Sequence, residues 1–383
     1  MINTIHRRKF LGAAAAATAA ATRPAAAFAE CTRAPSLGAA AAERGVTFGC
    51  SIGVAVLPDK PYVGLLLREA RILTTDLAFK LPFINPERGR FDFAQADQVT
   101  AFARENKLPL RAHTLFWDLA NPEWVSKLSV VERRYEFDRI LDTIIPRYRG
   151  RIHSWELVNE LFWPGFGEPG GFRRGAWYDA LGKDYVDRAF ARAAVLDPGA
   201  KLVLNQDMTE RDDEIGLAVR KSLLHVVDEL KAKGRRLDVV GLQGHIDPSL
   251  PFDHGAFEVF LWQLAERKVS IAITELDVLD TALPGDHARR DLAVGRRYRS
   301  FLDVALKVPA VDTVITWQLA DNHSWYRSDW YRSVTPTLPK DWLARPLPFD
   351  DRLERKSAWY EMAAAFCGRQ QTPKSVPPGN KGQ

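Results

Sequence analysis

Two glutamates, Glu160 and Glu275, each close an apolar run that reads as a buried strand: Ser154-Trp155-Glu156-Leu157-Val158-Asn159-Glu160 and Val269-Ser270-Ile271-Ala272-Ile273-Thr274-Glu275. A carboxylate placed where an apolar pattern stops is set for chemistry rather than packing. A pair of them can divide the cleavage of a glycosidic bond, one donating a proton to the leaving oxygen while the other attacks the anomeric carbon. Carboxyl groups about 5 to 5.5 Å apart would form a covalent glycosyl intermediate and retain configuration, whereas about 6.5 to 9.5 Å leaves room for a water and inverts it. Sequence spacing alone does not separate such a pair from two unrelated surface glutamates.

The neighbours narrow the choice. Asn159 precedes Glu160 in an otherwise apolar strand and can offer its amide to a sugar hydroxyl. Gln243 and His245, in Gly241-Leu242-Gln243-Gly244-His245, end the strand before that of Glu275, and both are expected to hydrogen-bond its carboxylate and keep it ionised. For His245 a purely structural hydrogen bond is the alternative. Lys80, His113, Trp117, Asn205 and Trp317 also fall at or just beyond strand ends. Trp117, Trp163, Trp317, Trp325, Trp330 and Trp342 lie on the connecting loops, where a flat ring with a polar edge stacks on sugars; about half are expected to touch ligand and the others to pack. His245, Asp247 and His254 lack tight metal-ligand spacing, and the glycine-rich stretch 165–171 lacks the basic residues of a phosphate cradle. No metal or cofactor is implied. Arg289-Arg290 and Arg296-Arg297 read as a solvated helix face.

These residues need elements to hold them. Apolar strand-like runs occur eight times, at 46–56, 71–77, 109–116, 152–159, 201–206, 237–243, 269–275 and 311–317. Amphipathic stretches alternate with them, at 93–106, 129–148, 178–196, 214–233, 255–267 and 287–307. Continuous apolar strands between helices predict a parallel sheet covered on its outer face. Eight such units predict an α/β fold of the (β/α)8 TIM-barrel type, a single domain over 46–368. In a barrel the strand ends converge on one mouth, which fits polar residues scattered over many strands better than an open doubly wound sheet does. The connection 318–354, rich in aromatic residues and proline, should lie over that mouth.

The ends of the chain carry separate signals. His6-Arg7-Arg8-Lys9-Phe10-Leu11, an alanine-rich stretch and Ala27-Phe28-Ala29 form a twin-arginine-like export signal over residues 1–29, predicting an exported protein, periplasmic or secreted. A linker segment follows at 30–45, and 369–383 is expected to be a disordered tail. The formal charge of +5 rests on that start, since removing Arg7, Arg8, Lys9 and Arg23 leaves 49 basic residues against 48 acidic ones. Nothing in that balance calls for nucleic acid, or for a membrane once the signal is removed. Three cysteines allow at most one intramolecular bridge; barrel closure would bring Cys31 and Cys367 together, and the alternative is three unpaired thiols with Cys50 a buried small hydrophobe.

At the residues quoted above the sequence resembles a known family. Trp155-Glu156-Leu157-Val158-Asn159-Glu160 is similar to the W-D-V-V-N-E acid/base motif of glycoside hydrolase family 10, and Ile273-Thr274-Glu275-Leu276-Asp277 to its nucleophile motif. Further landmarks recur in order: Arg111-Ala112-His113-Thr114-Leu115-Phe116-Trp117, Leu204-Asn205, Gly241-Leu242-Gln243-Gly244-His245, and Trp317 with Ser324-Trp325. The resemblance implies a retaining endo-1,4-β-xylanase on a (β/α)8 barrel, acting on xylan or xylo-oligosaccharides without an obligatory cofactor. A monomer is the expected state. It implies Glu160 as general acid/base and Glu275 as nucleophile. It further implies Lys80, His113, Trp117, Asn159, Gln243 and His245 as sugar contacts, Asp76 as a preserved acid beside Lys80, and Trp317 and Trp325 as the wall and floor of the sugar site.

The departures bear on specificity. Thr75-Asp76-Leu77-Ala78-Phe79-Lys80 stands where the family reads P-E-N-E-M-K, so Leu77 replaces an amide worth about 0.5 to 1.5 kcal/mol of net hydrogen bonding to a sugar. Asp118 replaces a histidine, and Gln206-Asp207-Met208 replaces an aspartate-tyrosine-asparagine run. Substrate choice is therefore expected to be decided at Leu77 and Asp118. Two alternatives stay open: a retaining β-glycanase of the same barrel clan acting on a β-glucan or exopolysaccharide, and a non-catalytic glycan-binding barrel.

Overall fold

Eight parallel strands close on themselves in the computed structural model, which describes residues 34–283 and 285–368. They are β1 (Thr47–Ile52), β2 (Ile72–Thr75), β3 (Leu110–Ala112), β4 (Ser154–Asn159), β5 (Lys201–Gln206), β6 (Val239–Leu242), β7 (Ser270–Val278) and β8 (Val311–Thr316). Each pairs with the next, and β8 returns to β1 with Thr313 opposite Thr47. A helix follows every strand: α1 (Lys60–Glu69), α2 (Ala94–Glu105), α3 (Val130–Tyr148), α4 (Asp184–Leu196), α5 (Glu214–Ala232), α6 (His254–Glu266), α7 (His287–Ala305) and α8 (Ser357–Gly368). This is the (β/α)8 barrel that the alternation predicts. No helix among the described residues is long and apolar enough to cross a membrane.

Local chemistry sets where the helices begin. Asp59, Ser129, Asp213, Asp253 and Asp286 each accept a main-chain N–H of the first turn of α1, α3, α5, α6 and α7. At α3 the cap is reciprocal, with the Glu132 carboxylate accepting from the Ser129 N–H at 2.9 Å. The strands sort their side chains by alternation. Leu202 and Leu204 of β5 join the apolar layer under the helices, while Val203 turns inward and meets Val239 and Ala272 in a small separate cluster.

Several expectations need correction. The helical stretch 178–196 is two helices, Ala176–Leu181 and α4, because Gly182 has φ 61° and ψ −158° and ends the first. β7 runs three residues past Glu275, to Val278, and its end pairs with a two-residue strand, His245–Ile246. Part of the expected linker 30–45 is packed structure: Leu37–Ala42 is a helix with Leu37, Gly38, Ala40 and Ala41 buried, and the Leu37 N–H donates to the buried Glu69 carboxylate at 2.8 Å. Arg290 does not belong to a solvated face; it is buried, 3.0 Å from Asp280, and donates to the Leu343 carbonyl. Cys367 is disulfide-bonded, which overturns three unpaired thiols, and Cys50 is free and buried, its thiol pushed up by that burial. Cys31, the export signal and the expected disordered tail lie outside the described residues.

Candidate active site

Both glutamates follow irregularities in their strands. In β4 the register with β5 shifts between Glu156 and Val158, so Leu157 and Val158 both join the outer apolar layer and Asn159 faces inward. Asn159 then meets Asn205 of β5, whose Nδ2 donates to the Asn159 Oδ1 at 3.0 Å. Glu160 follows with φ 53°, in the left-handed region, and its N–H donates to the Asn205 carbonyl at 3.0 Å. In β7 the register with β8 shifts between Ile273 and Leu276, which leaves Thr274 and Glu275 outside the apolar layer.

A chain of side-chain amides joins the two carboxylates. Gln243 Nε2 donates to Glu160 Oε1 at 3.0 Å and reaches Asn159 Oδ1 at 3.2 Å. Asn205 Nδ2 continues from Asn159 to Glu275 Oε1 at 2.8 Å. The expected bond from Gln243 to Glu275 is therefore corrected: Gln243 serves Glu160, and Asn205 serves Glu275. Gly241 permits this, since a Cβ there would stand 2.1 Å from Asn205 Oδ1.

Glu275 is surrounded by cationic and hydrogen-bonding groups. Burial opposes its charge, but the His113 and His245 imidazoles and the Lys80 ammonium outweigh it and hold the carboxyl down at about 2. His245 Nε2 lies 3.5 Å from Glu275 Oε2, and its Nδ1 donates to Asp277 Oδ1 at 2.8 Å. Burial disfavours a charged His245, yet Asp277 and Glu275 together raise it well above an ordinary histidine. Asp277 is fully buried and also accepts from the Tyr326 hydroxyl at 2.9 Å and the Trp325 indole at 2.8 Å. One carboxylate thus orients the histidine and an aromatic platform together.

Around Glu160 the setting differs. Arg173 Nε donates to the Glu160 carbonyl at 2.9 Å, and its Nη2 lies 3.4 Å from Glu160 Oε2 and 3.7 Å from Asp207 Oδ2. Burial and repulsion from Glu160 raise the Asp207 carboxyl well above the usual range, against the pull of Arg173.

The remaining expected contacts gather at the same mouth. Lys80 Nζ sits 4.8 Å from the Trp117 ring and 5.6 Å from that of Trp317, and His113 meets Trp317 edge-on at 5.2 Å. Asp76 is half-buried beside Lys80 and His113, and burial raises its carboxyl. Trp325 stands 5.2 Å from His245. Trp330 is exposed beyond it, with ring centroids 6.1 Å apart, whereas Trp342 packs with Tyr326 and Ala344. Trp163 stacks under Arg173.

Asp118 is not free to select substrate. Its Oδ1 accepts from Asn121 Nδ2 at 3.0 Å and from the Trp177 N–H at 3.4 Å, so it fastens the loop after β3 to the start of helix Ala176–Leu181. Burial pushes its carboxyl up to about 6. Leu77 is exposed just beyond β2.

His113, Glu156 and Glu275 bring donor atoms within 4.8 Å of one another, the one such group with metal-ligand potential among the described residues. Their atoms are already engaged. Glu156 binds Arg111 and accepts from His113 Nδ1 at 2.8 Å, while Glu275 accepts from Asn205. The Arg111 guanidinium would also oppose a cation there, so the donor set does not fit a metal.

The family model described as glycosyl hydrolase family 10 matches residues 36–365. The chain belongs to glycosyl hydrolase family 10. Among characterised members it is similar to endo-1,4-β-xylanase A of Caldicellulosiruptor sp. (strain Rt8B.4), 31% identical over 73% of this chain and 43% of that protein. It is also similar to endo-1,4-β-xylanase B of Thermotoga neapolitana, 30% identical over 70% of this chain and 76% of the other. The chain thus spans under half the length of the first of these relatives. Among solved structures, the native xylanase 10B of Thermotoga maritima superposes with a TM-score of 0.76 at 27% identity, over 86% of this chain and 98% of that one. Xylanase 10B of Thermotoga petrophila RKU-1, solved in complex with xylobiose, gives 0.77 at 26% identity, over 87% and 98%.

Within this family 10 chain, several site residues escape a reading by strand ends alone. Glu156 and Arg111 lie inside β4 and β3, and their charge within apolar runs is the signal that they face the barrel interior. Asp277 falls two residues past Glu275, on the same strand face by alternation. Arg173 and Asp207 sit on loops and gave no periodic signal.

Proposed function

We propose that this protein is a retaining endo-1,4-β-xylanase that cuts xylan or xylo-oligosaccharides by double displacement, with Glu275 as nucleophile and Glu160 as general acid/base. The observation that carries the reading is the pair of buried carboxylates joined by one chain of side-chain amides. Glu275 is held ionised by His245, His113 and Lys80 at about 2, while Glu160 faces it through the Gln243, Asn159 and Asn205 amides. In the first step Glu275 attacks the anomeric carbon as Glu160 protonates the leaving oxygen; in the second, water gives its proton to Glu160 and displaces Glu275. Lys80, His113, Asn159, Gln243 and His245 supply hydrogen bonds to the bound sugar, Asp76 supports Lys80, and Trp117, Trp317 and Trp325 grip the rings. The substrate is the only partner required, the protein acts as a monomer, and the twin-arginine-like start directs it out of the cytoplasm.

Proton NMR of the first-formed product on a xylo-oligosaccharide tests the reading: a β-anomer is expected, and an α-anomer overturns double displacement. Glu275→Ala should abolish hydrolysis and leave the fold intact by circular dichroism. A second reading, a β-glucan or exopolysaccharide substrate, is favoured by Leu77, whose exposed side chain offers no amide to the sugar. Reducing-sugar release compared across xylan, cellulose, mannan and mixed-linkage glucan separates the two. N-terminal sequencing of secreted protein tests export, with a start near Glu30 expected.

A further inference from the structure

The loop after β5 brings a third carboxylate to the proposed acid/base. Met208, at φ 61°, turns the chain so that Asp207 stands against Arg173. Gln206 Nε2 donates to Asp207 Oδ1, and Gln206 Oε1 accepts from the Phe162 N–H at 3.3 Å, tying this loop to the one that carries Glu160. The three charged side chains are nearly dry: Arg173 is 7% exposed, Glu160 11% and Asp207 14%. Two carboxylates therefore share one guanidinium nitrogen, so the trio is electrically balanced when one of them carries a proton. Other charged groups facing Asp207 are Glu210 on its own loop and, around Glu210, His245 after β6, Arg211, and Arg220 of α5. Glu210 adds repulsion and is itself raised by burial to about 7.

Resting on the functional reading above, we infer that Asp207 is a positioning residue that acts through Glu160: the two carboxylates share Arg173 and one proton between them, so the proton that Glu160 delivers to the leaving oxygen stays available in the pair to higher pH than it would on Glu160 alone. Asp207 neither bonds to the sugar nor takes part in the displacements. In the first step the glycosidic C–O bond breaks, the Glu275–carbon bond forms and the Glu160 proton moves to the leaving oxygen. In the second, water supplies both the oxygen on carbon and the proton that returns to Glu160. The returned proton stays within the Glu160–Asp207 pair until the next cut.

The test is the pH dependence of kcat/KM for wild type, Asp207→Asn and Asp207→Glu on a xylo-oligosaccharide and on an aryl xyloside with an activated phenol leaving group. Asparagine keeps the shape but removes the second carboxylate of the pair and leaves Arg173 to Glu160 alone, so the alkaline limb on the oligosaccharide should fall by about one pH unit. The glutamate variant should restore it toward wild type. On the activated aryl xyloside, which needs no proton to leave, the wild type and Asp207→Asn should differ little. An Asp207→Asn profile with unmoved limbs, or activity reduced by one factor at every pH, overturns the inference by assigning Asp207 a merely structural role. No wild-type turnover on either substrate would instead remove the functional reading beneath it, and the inference with it.

Discussion

Removing the Asp277 carboxylate would leave three donors without an acceptor: His245 Nδ1, the Tyr326 hydroxyl and the Trp325 indole. The consequence reaches Glu275 through His245. Without Asp277 the imidazole holds its proton less firmly, the Glu275 anion loses a cationic neighbour, and its carboxyl rises from about 2. Asp277→Ala should therefore move the acid limb of the kcat/KM profile to higher pH, by about one unit. It should also lower turnover by about 100-fold as His245 and Trp325 lose their placement. An acid limb that stays where it is in the wild type would mean that Asp277 serves folding alone.

Strand and loop geometry govern which side chains arrive. Gly241 lies in β6 because Asn205 crosses it, and a methyl group 2.1 Å from Asn205 Oδ1 would push the amide off Glu275. Gly241→Ala should cut turnover by about 100-fold while KM for a xylo-oligosaccharide changes little; unchanged turnover would show that Asn205 does not position the Glu275 carboxylate. Asp118 offers a test on stability. Its folded carboxyl is raised by burial to about 6, so it favours the folded state below the unfolded value near 4 and loses that contribution as pH rises through 6. Asp118→Asn keeps an oxygen for Asn121 and Trp177 and removes the buried charge. It should stabilise the protein by on the order of 1 kcal/mol at pH 7.5 and by nothing measurable at pH 4. Denaturant titrations at both values check this.

The whole barrel depends on how its longest connection is fastened. Between β8 and α8 the chain carries Trp325 and Tyr326 to the mouth, and a buried ion cluster holds it to the wall. Lys356 Nζ donates to Asp321 at 2.8 Å and to the Arg345 carbonyl at 2.8 Å, and lies 3.1 Å from Asp291 of α7. Arg345 closes the cluster with a two-point bond to Asp291 at 2.8 and 2.6 Å. Lys356→Met would leave buried Asp321 with only the Arg345 guanidinium, 4.0 Å away, at a cost of about 3 kcal/mol. Thermal unfolding should report that loss, and activity measured below the new midpoint should fall as the Trp325 platform loosens. An unchanged midpoint would mean that Arg345 alone holds the connection.

Alternation of apolar strands with amphipathic helices is a local property, carried by each segment's own periodicity, and eight repeats of it determined the barrel and the mouth where Glu160 and Glu275 emerge. Loop tryptophans beside strand ends were legible for the same reason. Which partner each carboxylate takes was not legible, because it depends on bulges that rotate β4 and β7 by one residue and on strands far apart in the chain. Gln243 reaches Glu160 instead of Glu275, Asp118 bonds Trp177 across 59 positions, and Arg173 stands between two carboxylates from different loops. Such choices follow from the packing of the closed barrel, where burial makes every unpaired polar group costly and so fixes its partner.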